Sequence, residues 1–410
     1  MKIAVITTFF PSLSETFVLN QITGLLELGH DVRVFAWQDP AESAIHADVA
    51  KYDLLGRTRY IPEAPRNKSL CLIKALWLIV ANFHKRPGPL LRFVMMFVRR
   101  RKGLSLNHLH FLLNFIEEDF DVIHCHYGPN GLIGVFLKDA GIAARVCTVF
   151  HGFDISCYPL ARGRDVYSDL FKKGDLFMPV SEHWRKELLD MGCPPEKTIV
   201  HRMGIALNTF EYRRHRIPSD GPARLLTVGR LVQKKGHRYA IEAVASLAVG
   251  GRDIEYTIAG DGPLRGDLEQ LVETHSLRDR VRFLGAVDQE QVRRLYQESD
   301  VFVLPSVRAD DGDMEGVPVV LMEAMASGVP VVSTRHTGIE ELVTDGVSGL
   351  LSPEKDVAAL AEKLRYLLDH PHAAEALARA ARHRVEGEFN IDNLNKRLET
   401  IYRNLMRSMS

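Results

Sequence analysis

The stretch that most limits what this chain can fold into runs from Glu315 to Val332, E-G-V-P-V-V-L-M-E-A-M-A-S-G-V-P-V-V. A polar loop precedes it. Pro318 suits the first turn of a helix, where a missing N–H costs nothing. Val319, Val320, Met322 and Met325 recur at spacings that pack inward, and Gly328 supplies the stop. An apolar strand at 329–333 follows at once. A helix feeding directly into a buried strand is half of a parallel crossover unit, which belongs to an α/β sheet. Two carboxylates lie eight positions apart in this run: Glu315 at the loop lip and Glu323 inside the helix. Both sit near a strand edge of the kind where open α/β sheets hold ligands.

The rest of the chain repeats that alternation. Strands are expected at 3–8, 32–36, 122–125, 145–150, 176–179 and 198–201, with helical patterns between them. Ser12-x-x-Glu15 reads as a capping box opening a helix that runs to Leu28. A polar break at 208–222 reads as a linker. The alternation then restarts, with strands at 224–228, 254–259, 281–284, 301–304, 329–333 and 349–351. At 410 residues the chain is long enough for two domains. The expected division is a first Rossmann-like domain over 1–207, the linker 208–222 and a second Rossmann-like domain over 223–389. A C-terminal helix in 390–410 is expected to pack back on the first domain.

Charge and cysteine usage exclude several classes. Lys plus Arg equals Asp plus Glu at 52 each, so no net field recruits nucleic acid. The five Cys are scattered and odd in number, which gives neither a disulfide framework nor a zinc site and points to reduced thiols of a cytoplasmic protein. The opening M-K-I-A-V-I-T-T reads as a first strand rather than a signal peptide. No segment reaches the roughly 18 apolar residues of a membrane span. A helical insertion at about 70–118 interrupts the first domain. Its 70–102 part is apolar and carries Lys85, Arg86, Arg92, Arg99, Arg100, Arg101 and Lys102. Such a region either lies on an anionic membrane surface or packs on its own domain with a solvated basic rim.

Several residues fall where chemistry is done. No G-x-G-x-x-G follows the first strand and no G-x-x-x-x-G-K-[ST] occurs anywhere, so dinucleotide and P-loop sites are disfavoured. In T-V-G-R-L-V-Q-K-K-G, Arg230 and Lys235 flank a loop after the first strand of the second domain. Two cations near a helix N-terminus oppose its dipole, a cost that favours a diphosphate-binding role. Gly338 and Ile339 open a helix after a strand, where amides can meet a phosphate. Gly260, in A-G-D-G-P, reads first as a structural strand-to-helix turn and second as a nucleotide-binding residue whose lip touches the base. His151 ends a first-domain strand in H-G-F-D, with Asp154 placed to orient it or to cap the next helix. His124 and His126 share a strand face, followed by Tyr127. A metal would need a third ligand that the sequence does not show, so acceptor contact or core packing is the reading for this pair. Ser14, Glu15 and Thr16 stand at the first strand–helix junction as acceptor-side or phosphate-side residues or as caps alone. The acidic loop 310–313 reads as solvated.

Taken in order, V-G-R-L-x-x-K-K-G, A-G-D-G-P-L, D-V-F-V-L-P-S, E-G-V-P-V-V-L-M-E-A-M-A-S-G-V-P-V-V, G-I-E-E-L-V and G-x-x-G-L-L resemble the GT4 family of retaining glycosyltransferases with the GT-B fold. P-S-L-S-E-T-F and H-x-H-Y-G look like its bacterial exopolysaccharide, colanic-acid-type branch. The resemblance implies two Rossmann-like domains facing across a cleft. It implies a nucleoside-diphosphate sugar donor, UDP-linked in the simplest case, and a lipid-linked glycan acceptor at the inner face of the plasma membrane. It implies that Arg230 and Lys235 take the diphosphate, Glu323 the ribose and Glu315 the donor-sugar hydroxyls. Gly338 and Ile339 assist the phosphate, and His151 contacts donor sugar and acceptor. Ser14, Glu15, Thr16, His126, Tyr127 and Asp154 are acceptor-side candidates. No metal or cofactor is implied. Two departures stand out: Pro11-Ser12-Leu13-Ser14-Glu15 replaces a Gly-Gly turn, and Val317-Pro318 replaces Phe-Gly and removes one N–H near the donor sugar, so the identity of the donor sugar does not carry over. The alternatives are a GT-B-fold sugar-nucleotide epimerase, against which the Glu315–Glu323 spacing argues, and a non-catalytic glycan-binding protein, against which the intact cations argue.

Overall fold

The computed structural model describes residues 1–12, 15–40, 46–62, 64–65, 67–99, 104–214 and 221–407. Ser14, the cations Arg100, Arg101 and Lys102, and positions 215–220 of the expected linker lie outside these described residues. The first half runs β1 (Lys2–Phe9), α1 (Thr16–Glu27), β2 (Asp31–Gln38), α2 (Ala47–Lys51), β3 (Thr58–Tyr60), α3 (Lys68–Asn82), α4 (Pro87–Val98), α5 (Leu106–Ile116), β4 (Val122–His126), α6 (Gly128–Asp139), β5 (Arg145–Phe150), α7 (Cys157–Arg162), α8 (Ser168–Lys173), β6 (Leu176–Pro179) and α9 (Glu182–Asp190). The second half runs β7 (Ala223–Val228), α10 (His237–Val249), β8 (Ile254–Ala259), α11 (Arg265–Thr274), β9 (Val281–Gly285), α12 (Gln289–Glu298), β10 (Val301–Leu304), α13 (Val319–Ser327), β11 (Val331–Thr334), α14 (Ile339–Leu342), β12 (Leu350–Ser352), α15 (Val357–Asp369), α16 (Pro371–Glu388) and α17 (Ile391–Arg407).

Each half forms a six-stranded sheet, ordered β3-β2-β1-β4-β5-β6 and β12-β11-β10-β7-β8-β9, and the strand pairs are parallel. Strands such as V-I-H-C-H and V-F-V-L are buried along their whole length, as strands covered by helices on both faces must be. Both sheets reverse winding at one place, between β1 and β4 in the first and between β7 and β10 in the second. The loops leaving the C-terminal ends of those strands flank the two crevices where doubly wound sheets bind ligands. One apolar cluster runs from the first sheet through Val317 and Ile339 to one face of the second sheet. Another covers the opposite face of the second sheet.

One strand is added to those expected from the sequence, and three local expectations are corrected. β3 is a three-residue edge strand, too short for a periodic signal. The expected strand at 198–201 is a ladder fragment instead: Ile199 and His201 amides donate to Phe177 and Pro179 carbonyls at 3.0 Å, with one isolated bridge. Pro318 is the N-cap of α13 rather than a first-turn residue, with φ −65° and ψ 116°. The capping box at Ser12 and Glu15 does not form. Glu15 is the N-cap of α1 and makes no side-chain cap bond, because its carboxylate accepts from the Tyr127 hydroxyl at 2.7 Å. Gly328 ends α13 in the left-handed conformation, φ 85°.

The chain returns to the first half near its end. Ile205 donates to the Phe389 carbonyl and accepts from the Ile391 amide. A Cβ at Gly204 would stand 2.5 Å from the Phe389 carbonyl oxygen, so this crossing requires glycine. Helix α17 then packs on α1, where Asn395 Nδ2 donates to the Asn20 carbonyl at 3.2 Å, and buried Tyr402 bonds His124 of β4.

Candidate active site

The second crevice is built from the loops after β7, β10 and β11. Gly236 adopts φ +68°, and a Cβ there would lie 1.8 Å from the Pro305 carbonyl oxygen. Only glycine lets the loop after β7 lie on the loop after β10. That contact brings Lys235 Nζ to 2.9 Å from Glu315 Oε1, with the two side chains 14% and 8% exposed. Lys234 pairs with Asp313 at 3.0 Å. Burial by itself would raise the Glu315 carboxyl, but Lys235 and Lys234 outweigh it and hold it at about 2. The loop after β11 fixes the backbone of Glu315. Its amide donates to His336 Nε2 at 3.2 Å, and Thr337 Oγ1 donates to its carbonyl at 2.9 Å. Arg230 is exposed and forms no ion pair with any described residue, so its fork remains available to an anion.

Glu323 is buried one helix deeper. Tyr296 of α12 donates to Glu323 Oε2 at 3.0 Å. Burial pushes the Glu323 carboxyl up to about 7, against the opposing effects of that hydrogen bond and Arg293. The two glutamates of one motif are thus opposites: Glu315 is held ionised and Glu323 titrates near neutrality. Gly338 is the N-cap of α14, and a Cβ there would stand 2.5 Å from the Gly316 carbonyl oxygen. The Ile339 amide donates to the His336 carbonyl at 2.9 Å. Gly260 is demanded by packing: at φ +145° its Cβ would meet the Gly229 carbonyl oxygen at 1.9 Å. It seats the Arg230 loop.

The first crevice holds a cluster of buried imidazoles. His126 Nδ1 lies 3.1 Å from His151 Nε2, and His151 Nδ1 lies 3.3 Å from Met203 Sδ. A thioether can only accept, so His151 carries its proton on Nδ1, and His126 Nδ1–H donates to His151 Nε2. Burial holds His151 down at about 3 and places His126 and His124 well below the usual histidine range. These rings are neutral at physiological pH. His126 is 1% exposed and bonded to His151, as the core-packing reading of this strand face expects. The reading of Asp154 is corrected. It is 0% exposed, and its carboxylate accepts from the amides of Gly128, His151 and Gly152 at 2.9–3.0 Å. It builds the loop that presents His151. Tyr127 has φ 71°, a left-handed conformation rare for an aromatic residue, and its hydroxyl is taken by Glu15. Thr16 begins α1 beside them.

The two crevices face each other and touch. A Cβ at Gly316 would lie 2.0 Å from the His151 carbonyl oxygen, and one at Gly152 would lie 3.1 Å from the Gly316 amide. Two glycines therefore let the loop carrying His151 rest against the loop carrying Glu315. Glu341 closes the same boundary. Its carboxylate accepts from the Glu182 and His183 amides at 3.0 and 2.9 Å, capping α9 of the first half with a charge from the second. Sequence reasoning gave Glu341, Tyr296, His336 and Met203 no role, and only Glu341 lay inside a motif that it quoted.

Residues 14–204 match the family model for the glycosyl transferase 4-like domain, and residues 208–384 match glycosyl transferases group 1. The chain is 37% identical over 407 residues to the putative colanic acid biosynthesis glycosyltransferase WcaL of Salmonella typhimurium, covering 98% of this chain and 99% of that one. It is 39% identical over 399 residues to the amylovoran biosynthesis glycosyltransferase AmsK of Erwinia amylovora, covering 95% and 96%. Among solved structures, Anabaena HepE in complex with UDP and glucose superposes with a TM-score of 0.75 at 17% identity, over 98% of this chain and all of that one. Sucrose-phosphate synthase of Thermosynechococcus elongatus superposes with a TM-score of 0.73 at 21% identity over the full length of both chains. These superpositions establish two Rossmann-like domains in the GT-B arrangement.

Proposed function

The chain belongs to the GT4-type group 1 glycosyltransferases, and from that premise we propose that it transfers a sugar from a nucleoside-diphosphate donor to a lipid-linked oligosaccharide during exopolysaccharide assembly. UDP is the proposed carrier, because HepE was solved with UDP and glucose. The exopolysaccharide setting follows WcaL and AmsK, whose names place them in colanic acid and amylovoran biosynthesis. The observation that carries the reading is the meeting of Lys235, Glu315 and the His151 backbone where the two crevices touch. A donor lying from Glu323 to Glu315 puts its diphosphate beside Arg230 and Lys235 and its reacting carbon beside the His151 loop.

Each group then has one task. Glu323 takes the ribose hydroxyls. Arg230 supplies a forked donor, and Lys235 a point charge, to the departing diphosphate, and this electrostatic stabilisation is the main catalytic contribution. Glu315 stays ionised and accepts from donor-sugar hydroxyls. His151 Nδ1–H exchanges its weak thioether acceptor, Met203, for a substrate hydroxyl. The acceptor hydroxyl attacks from the face the diphosphate leaves, the leaving phosphate oxygen takes its proton, and the anomeric configuration is retained. The reaction needs no metal. Contact between the His151 and Glu315 loops keeps water from the reacting carbon.

The test is transfer with UDP-hexoses and a lipid extract of polysaccharide-producing membranes, with the new linkage read by NMR. The expected product is a glycosylated lipid with the donor's anomeric configuration. Inverted product, or turnover of the nucleotide sugar with no acceptor required, overturns the proposal.

A further inference from the structure

Helices α3 and α4 break the rule that a helix on a protein surface turns its polar face to water. On α3, Ile73, Leu76, Trp77 and Val80 follow the i, i+3, i+4, i+7 pattern that normally marks a core-facing stripe. Here that stripe points outward: Ile73 is 63%, Trp77 66% and Val80 75% exposed. On α4, Leu91, Val94, Met95 and Val98 repeat the same spacing, and Val98 is 71% exposed. The opposite sides do pack, since Leu90 and Phe93 are buried in the first-domain core and Cys71, Ala75, Leu78 and Ile79 rest on it. The two helices are therefore apolar on both sides, in contact with the domain on one and with nothing described on the other. Exposed apolar stripes on two helices of a folded domain mark an interaction site.

Charge decides what covers it. Residues 64–116 contain ten Lys and Arg and no Asp or Glu. Because the whole chain balances at 52 of each sign, the remainder carries ten more acids than cations. The asymmetry is local and surrounds the apolar stripes. Lys68, at the start of α3, and Arg92 and Arg99, on α4 and just after it, are exposed and form no ion pair with any described residue. Lys85 and Arg86, in the turn between the helices, reach Glu117 and Asp119. A symmetric pairing of this face with the same face of a second copy would place one cationic rim against another, which like-charge repulsion opposes. An anionic bilayer satisfies both features together: acyl chains for the stripes and headgroups for the cations. No helix among the described residues is long and apolar enough to cross a membrane.

We propose that α3 and α4 form a monotopic hairpin that lies in the headgroup region of an anionic bilayer. The stripes through Trp77 and Val98 enter the acyl boundary, and the cations engage lipid phosphates. The hairpin leaves the first sheet after β3, whose C-terminal end lies on the same edge as those of β4 and β5. Embedding it therefore brings the edge that bears Tyr127 and His151 toward the bilayer. This extends the lipid-linked acceptor reading, but its test contains no donor or acceptor, so the two fail separately.

The full chain is mixed with phosphatidylcholine vesicles, with and without phosphatidylglycerol, and read by co-sedimentation and tryptophan emission. Trp77 is the reporter, because Trp184 is fully buried and Trp37 is half-buried and bonded to Asn130. Expected are binding that is much stronger with phosphatidylglycerol, a blue shift of emission, and quenching by brominated acyl chains. The Lys68→Gln/Arg92→Gln/Arg99→Gln variant should bind anionic vesicles roughly 5-fold more weakly per cation removed. Ile73→Gln/Val80→Gln should weaken binding and quenching together. All these sites are exposed, so unfolding temperatures should stay near wild type. Absence of co-sedimentation with phosphatidylglycerol vesicles overturns the proposal. So does binding without quenching of Trp77, or lipid-free self-association that Ile73→Gln/Val80→Gln abolishes.

Discussion

Replacing Lys235 by Met should convert the Glu315 carboxylate from a stabilising group into a destabilising one, with a pH signature that reports the sign. In the native protein Glu315 sits at about 2 against an ordinary 4.5, because Lys235 and Lys234 overcome its burial. At roughly 1.4 kcal/mol per pKa unit, that shift corresponds to about 3 kcal/mol. For a depressed carboxylate this stability is fully present above 4.5 and is lost as pH falls through about 2. Removing Lys235 leaves a charge 8% exposed with Lys234 engaged by Asp313. Breaking a buried pair on one side costs about 3–5 kcal/mol. For a domain of this size the unfolding midpoint should drop by roughly 10 °C at pH 7. Once Lys235 is gone, burial raises the carboxyl, so Glu315 protonates on acidification and the deficit shrinks between pH 7 and pH 4. The assay is thermal unfolding of wild type, Lys235→Met and Lys235→Met/Glu315→Gln across that range. The double variant should recover more than half of the loss at pH 7. A deficit equal at pH 4 and pH 7, or no recovery in the double variant, would refute the reasoning.

Three further outcomes follow from the site. Asp154→Asn leaves one acceptor oxygen for three amides and turns an NH2 toward a donor, so it should cost about 1–3 kcal/mol and lower turnover through a displaced His151 loop, read by denaturant unfolding and kcat. Tyr296→Phe removes the hydrogen bond that favours ionised Glu323, so the pH midpoint for nucleotide affinity, near 7 in wild type, should move upward in titration calorimetry. Ionising buried Glu323 opposes folding, so its contribution to wild-type stability falls as pH rises from 4.5 through about 7. Glu341→Gln takes a charge off the α9 N-terminus, worth about 0.3–1 kcal/mol, and should raise hydrogen exchange at Glu182 and His183 while leaving the isolated sheets protected.

Much of this was legible in the sequence, and the reasons are physical. Loops at strand ends carry short, spaced polar groups against apolar runs. Arg230, Lys235, Glu315 and Glu323 therefore stood out, and the alternation of strands gave two parallel sheets. What escaped depended on partners far away in the chain. Glu341 meets amides 158 and 159 positions distant, and Tyr402 meets His124 across 278. No local pattern encodes such meetings. The spacing of His124 and His126 placed them on one face and left acceptor contact and core packing both open; the structure buries them, because a neutral, hydrogen-bonded imidazole packs like an apolar ring. Asp154 had the right type and place for substrate contact, and the need of three loop amides for an acceptor took it instead. Glu15 shows the same competition, drawn from helix capping by the Tyr127 hydroxyl.

A nucleoside-diphosphate sugar held across Arg230 is what titration calorimetry of UDP, GDP and ADP into wild type and Arg230→Ala would detect. Arg230 is exposed and forms no ion pair with a described residue, so its loss leaves the fold intact. Expected is saturable binding of one of these diphosphates, UDP foremost, weakened at least tenfold in Arg230→Ala, or about 1.4 kcal/mol. Binding of none of them, or equal binding by both proteins, would contradict that placement of the donor.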